Sequence, residues 1–452
     1  LTGKSFLVQG TLEIDQPYYF DDCNIIFAQG AALRLNCNNL QNPNPDLWMN
    51  GSHLQGIENG CLWRGVEVMP GNTLFLKGDT IEDAQYGIRA LHSTNLNIDG
   101  VTFNRNFIGV YVAPHQLTFH PNVPFSLLVT NCNIQSFSHN VFDCTAPTLL
   151  PYPGMQNDIL MPTAQQVHTD RWAWAGLHVR GHVLLVLQRF GGVLPHEMED
   201  VNRFRNLANG IVTYGSTFVT NSCRFNNIPA ITTTGGGGGP IGPPVQQAHR
   251  RAYEVVPGVP GMRYGNAVYS GSPQLPAGFM WNAGNPALLG LLGFGGDPQS
   301  EIMFETVRKS VLAEGVHANV WLSEIHAHNV LSGFLMHQSP TNSMTYVGDC
   351  RIGILNNGPA TLGYHPDPQI QGCVGIQLVN WGITDPNADG VVIERNEIDI
   401  ANTTPLPANP LSTFNLGMGI QVTEGNMGFD SPIFIRENEI NVGNGSNGIE
   451  LI

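Results

Sequence analysis

The chain has 452 residues, a formal net charge of −15 and 12% charged residues. A length this great exceeds what one compact core usually holds, so the chain is either several domains or a solenoid whose repeats touch only their neighbours. The negative balance, without a Lys/Arg cluster, argues against nucleic acid as a partner, and the most apolar stretch, Val183 to Leu187, is far too short to span a membrane.

The 52 glycines and abundant asparagines suit tight turns and extended sheet. A pattern recurs along the chain: two apolar residues at alternate positions, a third apolar residue about five further on, and then Gly followed by an apolar residue. Phe20 with Ile25 marks the first instance. Leu74, Leu76 and Ile81 lead to Gly87-Ile88, and Leu96, Ile98 and Phe103 lead to Gly109-Val110. Leu127, Val129 and Ile134 lead to Val141. Phe204 leads to Gly210-Ile211, and Phe225 marks a further rung. Val320, Leu322 and Ala327 lead to Gly333-Phe334, and Val347 with Ile352 follows. Val391, Ile393 and Ile398 lead to Gly419-Ile420; Ile433, Ile435 and Ile440 lead to Gly448-Ile449.

Ile81 to Phe103 is 22 residues and Phe204 to Phe225 is 21. Period-2 alternation inside so short a repeat predicts three brief strands per coil. The expected fold is all-β, a right-handed parallel β-helix forming one domain over 1–452, with long loop insertions at about 144–171, 233–300, 355–371 and 401–416. The segment 233–300 opens with five glycines, Gly235 to Gly239, and carries apolar residues such as Trp281, Leu291 and Phe294 that need a surface to lie on. The sequence stops inside an apparent strand, Ile449 to Ile452, so the natural protein is expected to continue or another chain to cover that edge.

The position two before the last apolar residue carries Cys23, Cys132, Cys223 and Cys350, with Val101 and Ile325 elsewhere and Asp79, Asn396 and Asn438 as polar exceptions. Alternation turns it inward, so these cysteines read as buried thiols in one column. Asp22, Asn131, Asp349, Asn396 and Asn438 suit the intervening turns, where short polar side chains bond backbone and accept left-handed conformations.

The repeat resembles the pectate-lyase-like superfamily of right-handed parallel β-helices over about 1–142, 172–232 and 302–452. Phe20-Asp21-Asp22-Cys23-Asn24-Ile25-Ile26-Phe27, followed by Trp63-Arg64-Gly65-Val66-Glu67-Val68 and echoed by Trp174-Ala175-Gly176-Leu177-His178-Val179, is similar to β-helix regions of large surface proteins exported by the bacterial type IX secretion system. That likeness implies a secreted or cell-surface location. The superfamily's enzyme motifs are incomplete: Asp21-Asp22 lacks a Gly-His-Gly partner, and Gly181-His182-Val183 lacks its second glycine.

Candidate chemistry is sparse. Asp170, His178, His182, Glu197, Glu199 and Asp200 cluster in sequence and could supply the carboxylate pair of a glycoside hydrolase. Trp172, Trp174, Trp321 and Trp381 are candidate sugar platforms. Glu324, His326 and His328, read as one outward strand face, are candidate metal ligands. No cofactor is required by these residues; Ca²⁺ is the one ion that could bridge an anionic polysaccharide to so acidic a chain. The expected function is structural or adhesive, with a glycan, a surface protein or a second copy as partner, and the alternative is a polysaccharide-degrading enzyme.

Overall fold

A computed structural model describes residues 1–37, 46–57, 62–91, 94–112, 132–144, 173–180, 184–187, 202–214, 217–220, 223–228, 266–271, 290–294, 302–307, 309–314, 317–330, 332–337, 344–354, 374–379, 390–400, 418–423, 433–442 and 447–451. Among them there is no helix, and every strand pairing is parallel. The strands fall into three sheets, visited in strict rotation. Sheet I has 13 strands from Ser5–Val8 to Glu439–Val442, sheet II has 13 from Thr11–Ile14 to Asn447–Leu451, and sheet III has 12 from Tyr18–Asp21 to Ile433–Arg436. Each strand pairs with its counterpart one coil before and after. The chain is a parallel β-helix.

The repeat period follows from what fills the interior. On sheet I one inward position carries Phe103, Phe142, Phe204, Phe225 and Phe304 in successive coils, and their rings stack with centroids 4.7–5.0 Å apart and planes within 13°. That spacing is the strand spacing of a sheet, so identical rings in one register lie face over face. The glycine six or more residues later makes room for them. A Cβ on Gly109 would stand 2.5 Å from the Phe142 ring and 2.5 Å from the Gly176 carbonyl oxygen, and Gly176 and Gly210 crowd Phe204 and Phe225 in the same way. The Gly-apolar pair of the sequence repeat is thus the complement of a large inward side chain in the next coil, an aromatic in these coils and Ile352, Ile398 or Ile440 opposite Gly333, Gly375 and Gly419.

The turn from sheet III into sheet I is a second repeated device. Its first residue is left-handed, with φ of 51–66° at Asp22, Gly51, Gly78, Gly100, His139, Glu324, Asp349, Arg395 and Glu437. Its second residue forms an inward column that includes Cys23, Ser52, Asp79, Val101, Asn140, Asn202, Cys223, Ile325, Cys350, Asn396 and Asn438. Where the column is Asn, the side chain stitches coils together. Asn140 accepts the Val101 N–H at 2.9 Å and donates to the Ile98 carbonyl at 3.2 Å, and Asn396 accepts the Cys350 N–H at 3.1 Å and donates to Val347 at 3.0 Å. These bonds satisfy backbone groups that the buried turn would otherwise leave unpaired.

Three of the four predicted cysteines sit in this column. Cys132 does not: it precedes the sheet III strand Asn133–Ser138, next to Thr94, and Asn140 takes the column position of that coil. The correction follows from the place of Ile134, which pairs with Leu96 on sheet III, while Phe142 is the partner of Phe103 on sheet I, so the residue two before Ile134 is not the turn position. Leu127, Val129 and Asn131 lie outside the described residues. All described cysteines are free thiols, and burial pushes Cys132 up to about 11 and Cys350 up to about 12, which keeps them protonated and inert.

The segment 233–300 is also not wholly an insertion. Asn266–Gly271 and Gly290–Phe294 are strands that pair on both sides in sheets II and III, so one coil of the solenoid runs through it. Ala267 replaces glycine there, which hid the rung from a search for Gly-apolar pairs.

Asp79 is the acid in the asparagine column. It is 1% exposed and accepts the backbone N–H of Ser52 at 2.7 Å and of Lys77 at 3.0 Å. Burial nevertheless outweighs those bonds and pushes its carboxyl up to about 7. The folded state therefore favours the protonated acid, so its stabilising contribution is complete below about pH 4 and is lost as pH rises through about 7. Asp79→Asn should remove a slope of up to about 1.4 kcal/mol per pH unit across that window. Thermal unfolding of both proteins at about pH 5 and about pH 8 checks this, with the variant more stable at the higher pH.

Candidate functional site

Sheet III presents a stripe of aromatic side chains outward. Alternation dictates it: Val320 and Leu322 point in, so Trp321 points out; Thr345 and Val347 point in, so Tyr346 points out. Parallel in-register pairing places Trp321 beside Tyr346, then Val392, then Phe434 in successive coils. Trp321 and Tyr346 stack at 4.3 Å between centroids with 27° between planes, and Trp321 remains 42% and Phe434 45% exposed. A second strip lies near the first coils, where Trp48 (45% exposed) stacks on Phe75 at 4.3 Å beside Tyr19.

The Trp321 strip is bordered by a polar set assembled from the turn residues of three coils. Arg395 donates from Nε to Asp349 Oδ1 at 2.8 Å and from Nη2 to Oδ2 at 2.9 Å, a two-pronged pair. Its Nη2 also donates to the Tyr346 hydroxyl at 2.8 Å, and its Nη1 bonds Glu394 Oε1. Arg436 donates to Glu394 Oε2 at 2.6 Å, and the Tyr346 hydroxyl stands 3.4 Å from Glu394 Oε1 and 3.3 Å from Asp349 Oδ2. Trp321 Nε1 donates to Ser323 Oγ at 3.0 Å.

The electrostatics follow from this geometry. Arg395 holds the Asp349 carboxyl below its ordinary range, and Arg436, with Arg395, does the same for Glu394. Burial, helped by Asp349, pushes the Tyr346 phenol up to about 12. At neutral pH both acids are ionised and the phenol is neutral. A glycosidase needs one carboxylic acid that keeps its proton, and neither carboxyl here is tuned to do so. The set places fixed donors and acceptors beside a flat apolar face.

Gly348 positions the tyrosine. A Cβ there would lie 2.2 Å from the Tyr346 hydroxyl and 2.4 Å from Cζ, so the ring lies down across the glycine to reach the polar set. The backbone φ at Gly348 is not in the left-handed region. Gly348→Ala is therefore expected to leave the fold intact, with an unfolding change within about 1 kcal/mol, while swinging the phenol off Asp349 and Glu394. The check is the Tyr346 hydroxyl's distance to both carboxylates in a crystal structure of the variant.

The other predicted residues fare differently. His178 is fully buried on sheet II, stacked in register between Tyr111 and Val212 and edge-on to Tyr111 at 5.4 Å. Sheet II is buried on both faces there, Tyr111 and Val212 included, so His178 belongs to packing and not to an open cleft. Glu324 does not share the face of His326 and His328: it is the left-handed residue of the turn before the strand Ile325–Val330. Among the described residues no group of three or more His, Cys, Asp or Glu could hold a metal ion, and this trio is no exception. Asp170, His182, Glu197, Glu199, Asp200, Trp172 and Trp381 lie outside the described residues, as does the side chain of Trp174. The insertions 355–371 and 401–416, and all of 144–171 except Cys144, lie outside them too.

No protein-family model, curated protein or solved structure matches the chain. The likeness to pectate-lyase-like enzymes and to type IX exported surface proteins therefore rests on the sequence motifs alone. Among the described residues no helix is long and apolar enough to cross a membrane.

Proposed function

We propose that the protein is an extracellular β-helix of structural or adhesive type that holds glycan chains along the outward face of sheet III. The observation that carries this reading is the exposed Trp321–Tyr346 stack bordered by Asp349, Glu394, Arg395 and Arg436. A pyranose ring offers an apolar C–H face and a rim of hydroxyls. A flat aromatic meets the first, and ionised carboxylates and guanidinium groups meet the second. Successive coils add platforms about 4.8 Å apart, so the Trp321 to Phe434 strip suits an extended chain more than a single sugar. A solenoid with repeated binding elements on one side gains further from multivalent attachment. Secretion to the cell surface accords with the motifs of the first coils, and a glycan partner accords with the acidic balance only if the chain is largely neutral where it meets this face.

The test is a glycan array probed with the wild-type protein and with Trp321→Ala. The reading requires retention on at least one neutral polysaccharide class and its loss in the variant. Equal binding by both proteins, or none by either, would remove sheet III as the binding face.

A further inference from the structure

We propose that the ligand of the sheet III face is a long neutral polysaccharide laid lengthwise along the solenoid and held at two stations, Trp321 with Tyr346 and, in the first coils, Trp48 with Phe75. The inference rests on the glycan reading of the Trp321 face and adds to it a second site and a minimum chain length. Among the described residues four aromatic side chains are exposed, Tyr19, Trp48, Trp321 and Phe434. All four occupy one outward row of one sheet. Tyr19, Trp48 and Phe75 are register partners in successive coils, and so are Trp321, Tyr346, Val392 and Phe434. An unbroken run of register pairs leads from Leu47, just before Trp48, to Val320, just before Trp321. By contrast Tyr111 and Tyr269, on the outward side of sheet II, are buried.

The two stations share a layout. Trp48 stacks on Phe75 and Trp321 on Tyr346, each pair with centroids 4.3 Å apart. Two residues beyond an outward residue, a strand points outward again. That second row carries Asp21, Asn50 and Lys77 at the first station and Ser323, Glu394 and Arg436 at the second, with Gly348 beneath the Tyr346 ring. Each station thus sets an acid, a neutral hydrogen-bonding group and a cation beside apolar rings. In the first, Asn50 donates to Asp21 Oδ1 at 2.8 Å, which fixes both side chains, and Lys77 is exposed. In the second, Arg436 donates to Glu394 Oε2 at 2.6 Å. Such groups meet the hydroxyls of a sugar as donors and acceptors, and a net charge of −15 turns away a polyanion.

The separation of the stations sets the length of the ligand. Trp48 and Trp321 lie on Asp46–Asn50 and His317–Ser323, the second and ninth strands of sheet III, so seven strand spacings or about 34 Å part them. The coils between place Asn97, Val186, Val219 and Gly293 at the equivalent position, so the aromatics gather towards the two ends of the row. A short oligosaccharide reaches one station, and a chain longer than the gap reaches both. Its second contact is then intramolecular, and linked contacts of that kind raise overall affinity by about 10²- to 10⁴-fold over one alone. Because the row follows the stacking of the coils, the polymer runs along the solenoid and not across it.

The experiment measures binding of dextran, mannan and β-glucan, each intact and as fragments too short to span about 34 Å. Isothermal titration is run on the full chain, Trp48→Ala, Trp321→Ala and the double variant. Both tryptophans are exposed, so the variants keep the wild-type far-ultraviolet circular dichroism. On an intact polysaccharide that the wild type binds, each single variant is expected to lose at least about tenfold in affinity and the double variant to lose binding. Short fragments bind the wild type weakly with two per protein, and each single variant with one. A loss in Trp321→Ala with wild-type affinity in Trp48→Ala would overturn the second station and leave the Trp321 face as the binding site. A loss in Trp48→Ala alone, or no binding of any of these polysaccharides by the wild type, would overturn the glycan reading of the Trp321 face and this proposal with it. Equal affinity of the wild type for intact chains and short fragments would overturn lengthwise binding.

Discussion

Phe204→Ala is expected to lower the unfolding free energy by about 3–5 kcal/mol, the cost of emptying a large aromatic site in a packed core. Phe204 is 0% exposed and lies between Phe142 at 4.7 Å and Phe225 at 5.0 Å, so truncation removes a ring from the middle of a stack whose other members are held by their own coils. Collapse is restricted because the strand spacing is set by backbone hydrogen bonds and not by the rings. The glycine partner makes the prediction sharper. A Cβ at Gly176 would stand 2.6 Å from the Phe204 ring and 3.1 Å from the Gly210 carbonyl oxygen. The ring cannot swing away while stacked on both faces. Gly176→Ala should therefore be destabilising by about 1–3 kcal/mol, the usual cost of overpacking. In the Phe204→Ala background most of that cost should vanish, because the space has been vacated. Denaturant unfolding followed by far-ultraviolet circular dichroism on the four proteins of this cycle gives the coupling. Equal costs of Gly176→Ala in both backgrounds would mean that the glycine serves something other than the ring.

The second large effect concerns Trp321. Exposed aromatics that carry binding are worth 2 kcal/mol or more when truncated, roughly a 30-fold loss of affinity. Trp321→Ala should weaken binding of the retained polysaccharide by at least about that factor, read by isothermal titration, with little change in unfolding because the side chain is 42% exposed. Tyr346→Phe keeps the stacked ring and removes the hydroxyl that meets Arg395, Asp349 and Glu394. Its expected loss is smaller, about 1 kcal/mol, the net value of a single hydrogen bond. A Tyr346→Phe effect larger than that of Trp321→Ala would place recognition in the polar set and not on the platform.

What the sequence disclosed, and what it hid, divides along a physical line. The coil period, the aromatic and aliphatic rows of sheet I, and the Gly-apolar signal were legible because each coil repeats the same steric requirement. The column of Cys23, Cys223, Cys350, Asn396 and Asn438 was legible for the same reason. Cys132 was misplaced because Ile134 belongs to sheet III, paired with Leu96, and not to the sheet I row of Phe103 and Phe142, and the rung at Asn266–Gly271 was missed because Ala267 stands where glycine was sought. The polar set at Tyr346 was not legible. Its members Tyr346, Asp349, Glu394, Arg395 and Arg436 come from coils about 45 residues apart in sequence (Tyr346 and Arg395 differ by 49, Glu394 and Arg436 by 42), and only the stacking distance joins them. Arg395 itself occupies a left-handed turn position, φ 53°, where Gly, Asn or Asp would be anticipated; its bonds to Asp349 across the coil offset that strain. Of the candidate site residues chosen from sequence, Trp321 alone borders the set, and it was chosen as an aromatic, not for its neighbours; Asp349 was read only as a turn residue.

The most direct measurement is polysaccharide retention run beside reducing-sugar release on the same substrates, with wild-type protein and Asp349→Asn/Glu394→Gln. With both carboxyls held ionised by Arg395 and Arg436, the predicted result is binding by the wild type, weaker binding by the variant, and no sugar released by either. Release by the wild type that disappears in the variant would contradict the account and make this face of sheet III a catalytic one.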